Sequence, residues 1–286
     1  MHSILFKKAT IEEFSMFKAN TVICILAPEI SLKSAKVRER LEAIAKENII
    51  KYLKANQIVF SNVFLRSARI FIETEETTKV VKILANCFGV FALIQAQKDS
   101  VIELENICEN CALLCKGIIK DTFAVRCKSF NKRIKSRDVE MKAGSKILDA
   151  FTTKVNLSAP KTQINALVFE KQVFYYFDSI PGARGMPVGA QGTIVLIGKD
   201  KTNSEKLAKK LLRTGCRVKL IADFDLNLEE FNAMEKIQKI TLEEIAKLKR
   251  NDKINAIFSD STNLEERSKI DDLVNEKTFA PLLCLA

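Results

Sequence analysis

One stretch decides how this chain folds, and it reads Gly182-Ala183-Arg184-Gly185-Met186-Pro187-Val188-Gly189-Ala190-Gln191-Gly192. This glycine segment holds four glycines and one proline, although the whole 286-residue chain has only nine Gly and five Pro. An apolar run follows at residues 193–197, and a helix-like stretch follows at 203–214. A glycine-rich approach to a strand and a helix is typical of phosphate sites in α/β proteins.

The turn between that strand and helix, residues 198–203, reads Gly-Lys-Asp-Lys-Thr-Asn. In a phosphate loop several backbone N–H groups converge on one anion, and glycines permit that approach. This turn has a single glycine, and Asp200 would place negative charge where a phosphate should sit, partly offset by Lys199 and Lys201. We therefore predict that the chain keeps the approach to a nucleotide site and lacks the site itself.

The hydrophobic pattern predicts a fold of mixed class, α+β and α/β. Residues 21–96 follow the order β-α-β-β-α-β, which is the ferredoxin-like unit. Helix-like stretches then cover 101–118 and 136–151, with Ser136 expected to cap the second helix. A strand at 122–128 and a hairpin around 170–172 complete this middle part.

The part of the chain after the glycine segment predicts a reduced Rossmann-like parallel sheet. Strand-like runs alternate there with helix-like stretches, which is the pattern of a parallel sheet with helical crossovers. The strand-like runs are residues 193–197, 217–222, 254–258 and 278–283.

The charge of the chain is uneven. The formal net charge is +11, yet residues 223–286 carry 14 acidic and 9 basic side chains, a net of −5. Residues 126–146 hold 8 basic and 2 acidic side chains, a net of +6. Such clustering suits a polyanion, because each Lys or Arg that neutralises a phosphate releases a counterion. The alternatives are an ordinary solvated basic face and, more weakly, an acidic membrane surface.

Composition excludes several classes of protein. The only histidine is His2 at the N-terminus, which excludes catalytic triads and histidine-based metal hydrolases. No apolar run approaches the roughly 18 residues that a membrane span needs, and the first residues lack the apolar core of a signal peptide. We therefore expect a cytoplasmic protein that does not engage membranes.

Cys108, Cys111 and Cys115 have a C-x2-C-x3-C spacing, and Cys127 could be a fourth ligand of zinc or an iron–sulfur cluster. Their stretch also reads as an amphipathic helix, in which cysteine is a common small core residue. Without a second CxxC the metal signal is weak. We predict that the cysteines are core residues and that no metal is bound.

Three segments resemble one known family. They are Glu29-Ile30-Ser31-Leu32-Lys33-Ser34 with Arg38, then Phe123-Ala124-Val125-Arg126-Cys127-Lys128 with Lys132 and residues 136–144, and then the glycine segment. In this order they resemble three motifs of the tRNA 4-thiouridine synthetases, which are also called tRNA sulfurtransferases: the E-I-x-L-K opening, the THUMP core and the G-x-G-G-L-P-V-G-T-x-G junction. In the junction, Arg184 stands in place of one glycine. The resemblance implies an N-terminal ferredoxin-like domain at 1–98, a THUMP RNA-binding domain at 99–181 and a PP-loop-type α/β domain at 182–286.

The chain departs from this family at the ATP site. The family binds ATP through S-G-G-x-D-S at the strand–helix turn, whereas residues 198–203 lack that motif. Residues 257–261 and 280–283 are similar to later family segments, but the middle of the domain is short and has no convincing cysteine pair for sulfur relay. We therefore interpret the third domain as a degenerate PP-loop domain.

The resemblance implies a protein that binds the acceptor region of tRNA, and the departure at residues 198–203 predicts that it has no catalytic residues and no cofactor of its own. A catalytic protein partner and a homodimer are both compatible with it. The alternative is an active sulfurtransferase that uses ATP and Mg to form 4-thiouridine, and a third possibility is a structural subunit whose basic face serves a protein partner. The candidate RNA contacts are Lys33, Arg38, Arg126, Lys128, Lys132, Arg133, Arg137 and Lys142.

Overall fold

The structure is a computed structural model that describes residues 17–228, 237–241, 244 and 254–261. The strand predicted at 278–283 lies outside the described residues. The chain divides into two compact units. The first unit comprises the described residues up to Val22 together with Ile94–Ser179, and the second comprises Ile23–Leu93 and the described residues from Ile180 onward.

The described helices and strands follow one another along the chain with short connections. The helices are α1 (Pro28–Ser31), α2 (Ala35–Ala55), α3 (Thr77–Leu84), α4 (Leu104–Leu114), α5 (Ser136–Ala150) and α6 (Lys201–Arg213). The strands are β1 (Thr21–Leu26), β2 (Asn62–Arg66), β3 (Arg69–Glu73), β4 (Val90–Asp99), β5 (Thr122–Ser129), β6 (Lys154–Val155), β7 (Thr162–Val168), β8 (Val173–Tyr176), β9 (Ile180–Pro181), β10 (Thr193–Ile197), β11 (Arg217–Ile221), β12 (Gln238–Lys239) and β13 (Ile254–Ser259).

The ferredoxin-like part of the second unit has the strand order β2-β3-β1-β4, with β9 added beside β4. β2 and β3 form an antiparallel hairpin in which Asn62 pairs with Glu73 and Arg66 with Arg69. Helix α2 buries Leu41, Ala45 and Ile49, which recur at intervals of four residues and so form one face. The predicted β-α-β-β-α-β order is present.

The first unit contains the strand order β4-β8-β7-β5-β6. β5 and β7 are parallel, whereas β7 and β8 are antiparallel and pair Val168 with Val173 across the predicted hairpin. Helices α4 and α5 pack on each other and share one core with the strands. That core contains Ile107, Phe123 and Val139.

The prediction that Ser136 caps α5 was wrong. Lys135 is the N-cap residue and makes no side-chain capping bond. Ser136 already lies in the first turn, and its Oγ accepts a hydrogen bond from the backbone N–H of Ser129 at 3.0 Å. Its hydroxyl therefore ties the end of β5 to the start of α5.

The second unit also carries a sheet of order β12-β11-β10-β13. Every strand pair in it is parallel, and Ile197 at the end of β10 lies between Ile221 of β11 and Ser259 of β13. β10 is buried along its whole length, as a central parallel strand should be. Together with the ferredoxin-like part, this sheet confirms the predicted α+β and α/β class. The domain boundaries at 98/99 and 181/182 stay predictions.

The glycine segment packs its backbone directly against its neighbours. A Cβ at Gly182 would lie 2.4 Å from the carbonyl oxygen of Val90, and a Cβ at Gly185 would lie 2.5 Å from that of Arg213. Gly185 also has a φ of +77°, which side chains rarely adopt. The backbone N–H of Met186 donates to Arg213 O at 2.9 Å, so the segment is fixed to the end of α6.

Arg184 adopts the left-handed backbone conformation, with a φ of +60°. This explains why the resembled family has a glycine at the equivalent place, since a Cβ in this conformation costs about 1 kcal/mol or more. The guanidinium of Arg184 lies over the ring of Phe91, 4.9 Å from its centroid, which recovers part of that cost.

None of the described helices is long and apolar enough to cross a membrane.

We predict that Gly185→Ala lowers the free energy of unfolding by about 2 kcal/mol or more, because the new methyl group meets backbone and the φ is strained. Gly144→Ala is the matched control. Gly144 lies within α5 with nothing within 4 Å of its Cβ position, so alanine should stabilise the helix by about 0.5–1 kcal/mol. Urea unfolding measures both, and equal effects would contradict the prediction.

Candidate nucleic-acid interface

The basic loop, residues 129–136, presents three cations, Lys132, Arg133 and Lys135, to solvent from a fixed backbone. Between β5 and α5, Asn131 Oδ1 accepts hydrogen bonds from the backbone N–H groups of Arg133 at 2.8 Å and Ile134 at 3.2 Å. An asparagine that binds the backbone two residues onward is a turn-forming arrangement.

Further hydrogen bonds close the basic loop at both ends. The hydroxyl of Ser129 donates to Ile134 O at 2.6 Å, and the backbone N–H of Lys132 donates to Glu170 Oε1 at 3.0 Å. Asn131 Nδ2 donates to Phe169 O at 3.3 Å. Because the backbone donors and acceptors are paired within the protein, the loop keeps its shape while the long side chains stay in solvent.

β5 adds two cations beside this loop. Arg126 is half-buried and donates from Nη2 to Leu157 O at 2.6 Å. Lys128 is exposed, and its Nζ lies 5.5 Å from the centroid of the Phe130 ring. Phe130 in turn stacks on Phe169 with ring centroids 5.0 Å apart. A lysine held over an aromatic ring, with a face of that stack near solvent, suits contact with a nucleic acid.

Helix α5 adds Arg137 and Lys142, which are exposed. Lys146 also belongs to the basic run, but its Nζ lies 2.5 Å from Glu105 and 3.2 Å from Glu109 of α4. The hydrogen bond to Glu105 is the main reason why the pKa of Lys146 is raised. Lys146 is thus partly neutralised within the protein, and the local excess of charge rests on the other cations.

The predicted contact residues fall in both units. Six of them, Arg126, Lys128, Lys132, Arg133, Arg137 and Lys142, lie on β5, the basic loop and α5 of the first unit. Lys33 and Arg38 lie in the second unit. Lys33 is exposed, whereas Arg38 Nε is 3.8 Å from Glu42 Oε1. A role in binding RNA stays a prediction for all eight.

The cysteines of the C-x2-C-x3-C motif lie in the core of the first unit. Cys108, Cys111 and Cys115 are each 0% exposed and pack among apolar side chains such as Ile107 and Leu114. Burial raises the pKa of the Cys115 thiol to about 12, and it raises the pKa values of Cys108 and Cys111 as well. A metal ligand must be a thiolate, so this environment favours the protonated, structural form. That no metal is bound stays a prediction.

The strand–helix turn after β10 is occupied by a carboxylate of the chain itself. Asp260 follows β13, which neighbours β10, and its side chain reaches the turn. Its Oδ1 accepts a hydrogen bond from the backbone N–H of Lys199 at 2.8 Å, and its Oδ2 accepts from that of Asp200 at 3.1 Å. Oδ2 also accepts from the hydroxyl of Ser204 at 2.6 Å. With 3% exposure, Asp260 is an internal anion in the place where a phosphate loop would hold an external one.

Asp200 has a simpler role than the sequence predicted. It is the N-cap of α6, and its Oδ1 accepts from the backbone N–H of Asn203 at 2.8 Å. Asp200 thus takes the backbone donor of Asn203, while Asp260 takes those of Lys199 and Asp200. Asp260 was not among the residues predicted from the sequence. Because parallel neighbouring strands end at one edge of a sheet, the residue after β13 could have been placed beside the residues after β10.

Known proteins resemble this chain in the part that holds the basic loop. Residues 102–178 match the THUMP domain family, and this match covers the core of the first unit and the basic loop. The chain contains a THUMP domain. It is 28% identical over 205 residues to a probable tRNA sulfurtransferase of Methanosarcina acetivorans, an alignment that covers 69% of this chain and 49% of the relative. A probable tRNA sulfurtransferase of Thermococcus kodakarensis is 26% identical over 272 residues, covering 92% of this chain and 70% of that protein.

The sequence resemblance to the tRNA 4-thiouridine synthetase family is confirmed by these matches. The THUMP-containing chain spans about half the length of the Methanosarcina relatives. The crystal structure of PH1313 from Pyrococcus horikoshii has the same fold, with a TM-score of 0.78, 21% identity and coverage of 93% of this chain and 95% of that one. A 4-thiouridine synthetase–RNA complex with bound ATP gives a TM-score of 0.71 at 16% identity, covering 92% and 81%.

We predict that replacing Cys108, Cys111 and Cys115 together by Ala lowers the free energy of unfolding by about 2–5 kcal/mol without removing any metal.

In the folded protein the Cys115 thiol keeps its proton to about pH 12, whereas the unfolded chain releases it from about pH 9. The stability that this thiol contributes is therefore complete below pH 9 and falls as pH rises above it. Urea unfolding between pH 7.5 and 10 should show a shallower decline for the triple variant.

The metal content of the wild-type protein, purified without a metal-binding tag, is the decisive control for the cysteine prediction. Elemental mass spectrometry should find less than one zinc or iron in ten chains. Stoichiometric metal that disappears in the triple variant would show that the cysteines are ligands.

Proposed function

We propose that this chain is a tRNA-binding protein that serves tRNA modification and has no ATP pyrophosphatase activity of its own. The observation that carries the proposal is the basic loop inside the THUMP domain, where Lys132 and Arg133 project from a hydrogen-bonded turn. The similarity to probable tRNA sulfurtransferases supports tRNA as the polyanion.

The proposed contacts position the RNA rather than read its sequence. An A-form helix exposes phosphates and ribose hydroxyls more readily than base edges. Arg126, Lys128, Lys132 and Arg133 are suited to phosphates because they are cations on a fixed backbone. We assign the acceptor region of tRNA as the part bound, on the resemblance to the family, with Lys33, Arg38, Arg137 and Lys142 as further contacts.

The second half of the proposal concerns ATP. The donors that would face a phosphate, the backbone N–H groups of Lys199 and Asp200, are hydrogen-bonded to Asp260. An incoming phosphate would have to displace a buried carboxylate, and it would meet like charge while doing so. These contacts support a degenerate PP-loop domain and disfavour the alternative, an active ATP-dependent tRNA sulfurtransferase that forms 4-thiouridine.

If this chain binds tRNA without catalysing a reaction, another protein must catalyse the modification. We assign this to a catalytic protein partner that acts on the bound tRNA, and the PP-loop-type part is the candidate platform for it or for a second copy of this chain. Size-exclusion chromatography with light scattering, with and without tRNA, reports whether a homodimer forms.

We predict that tRNA binding depends on salt and that Lys128→Ala, Lys132→Ala and Arg133→Ala together weaken it for many different tRNAs. Each lost phosphate contact should flatten the slope of log K against log salt by about one unit. Filter binding or fluorescence anisotropy between 50 and 200 mM salt measures both quantities.

The control variant replaces Lys116, Lys120 and Lys154 by Ala, which removes the same charge from exposed positions of the first unit outside residues 126–146. It should keep most of the wild-type affinity and slope. If both triple variants lost the same affinity for tRNA, the effect would come from net charge in general and not from the basic loop. Binding that does not change with salt concentration would refute the proposed interface.

We predict that isothermal titration detects no tight binding of ATP with Mg, in the presence or absence of tRNA. The reason is that Asp260 holds the donors of the turn. A dissociation constant in the low micromolar range that is abolished by changes at Lys199 or Asp200 would restore the active sulfurtransferase.

The hydrogen bonds that Asp260 accepts can also be tested by measuring the free energy of unfolding. Asp260→Ala strips the acceptor from two backbone N–H groups and one hydroxyl, so it should lower the free energy of unfolding by about 2–4 kcal/mol. Asp225→Ala is the control, because that carboxylate is exposed and makes a surface ion pair with Lys239. A small effect at Asp260 would mean that its hydrogen bonds do not hold the turn closed.

A further inference from the structure

The second unit contains a cavity of about 430 Å³ that the proposed function does not use. One wall is formed by Pro181, Gly182 and Ala183 at the beginning of the glycine segment, together with residues 85, 86 and 88. The other wall is formed by the last turns of α6, with Lys209, Lys210 and Arg213. A volume of this size lies within the usual range of small-molecule sites, about 300–1,000 Å³.

The cavity is built on a fixed frame. Gly182 N–H donates to Phe91 O at 2.9 Å, and β9 pairs Pro181 with Ala92 of β4. Gly185 lies against the carbonyl of Arg213, whose oxygen accepts a hydrogen bond from Met186. The backbone of both walls is therefore held in place by contacts that the glycines permit.

The charge of the cavity has one sign. Among the described residues that line it, three are cations and none is acidic. Lys209 and Arg213 are four residues apart on α6 and so lie on the same face of the helix. Cations in the last turn of a helix also interact favourably with the helix dipole. That interaction alone does not account for a cavity lined by these cations.

The chemistry of the two walls differs in a way that matches a nucleotide. The guanidinium of Arg213 and the ammonium groups suit a phosphate, which arginine binds with a two-pronged hydrogen bond. Pro181 and the half-buried Ala183, which packs against the core that holds Phe88, form an apolar surface against which a base can lie. We propose that this cavity binds a phosphate-bearing nucleoside, with the phosphate toward α6 and the base toward the glycine segment.

The proposed site is distinct from the turn that Asp260 closes. That turn lies at the N-terminal end of α6, and the cations of the cavity lie in its last turns. Lys209 lies eight residues after Lys201, the first residue of α6, a distance of about 12 Å along the axis. The nucleotide could be a free metabolite or one nucleotide of a bound RNA, and the two sources give different results below.

The test uses the full chain and two probes, 5′-AMP and a single-stranded RNA tetranucleotide, each titrated at 150 mM salt. The variant Lys210→Gln/Arg213→Gln removes two cations from the cavity. The control Lys36→Gln/Lys54→Gln removes two exposed cations of α2, neither of which lines the cavity. We expect the cavity variant to weaken binding of at least one probe tenfold or more, and the control to change it less than twofold.

A second variant tests the other wall. Pro181→Glu places a carboxylate on the cavity surface at an exposed position and should abolish binding of the same probe. Thermal unfolding of each variant verifies that it is folded. Photo-crosslinking with 8-azido-AMP, or with an azido-adenosine in the tetranucleotide, should label residues 85–88 or 181–183.

The outcomes separate the two sources. Loss of AMP binding identifies a free nucleotide, and loss confined to the tetranucleotide identifies a nucleotide within RNA. Equal affinities of the wild-type and both cavity variants for both probes would overturn the proposal, as would labelling near residues 198–200. The tRNA-binding proposal rests on the basic loop instead, so its triple variant can lose tRNA affinity whatever the cavity variants do.

Discussion

Close packing of backbone on backbone at the glycine segment is the contact on which the second unit depends. Gly182 lies against the carbonyl of Val90 in β4, and Gly185 lies against that of Arg213 at the end of α6. Gly192 passes Asn255 of β13 so closely that its Cβ position is 2.0 Å from the amide oxygen. One short segment thus connects the ferredoxin-like strands, the helix and the parallel sheet. Any side chain larger than hydrogen would push these elements apart, which explains the concentration of glycine there.

The turn after β10 is a strand–helix corner whose backbone donors are already bonded within the chain. The parallel sheet, the turn and the helix N-terminus together form an electropositive corner of backbone N–H groups. In this chain the corner is filled by Asp260 from the neighbouring strand. A buried carboxylate with three donors is well satisfied, so the same contacts that stabilise the turn would oppose an external phosphate.

In the THUMP domain the charged side chains face solvent, unlike Asp260, whose carboxylate is bonded inside the protein. In the basic loop the internal hydrogen bonds involve the backbone and the small polar side chains of Ser129, Asn131 and Ser136, so Lys132 and Arg133 remain available to solvent. Lys146 belongs to the same basic run, yet it is paired with Glu105 and Glu109. The count of charges in a sequence therefore overstates the charge that a partner meets. The ammonium group of Lys128 over the ring of Phe130 places a cation and an aromatic face side by side, an arrangement suited to a nucleotide.

The resemblance to a known family indicated the THUMP domain, and the two-residue strands β6, β9 and β12 were not predicted. The hydrophobic pattern of the sequence by itself determined the classes of the elements and the approximate places of the longer described strands. It could do so because hydrophobic periodicity and glycine placement are local properties. It also indicated that the turn at 198–203 lacks a phosphate cradle, since that turn has one glycine and an aspartate. Only the tertiary structure decided that Asp260 occupies the turn, that Ser136 ties β5 to α5 and that Lys146 is neutralised by α4. Each of these depends on side chains from elements far apart in the chain. Their proximity is set by sheet order and helix packing, which no local pattern in the sequence specifies.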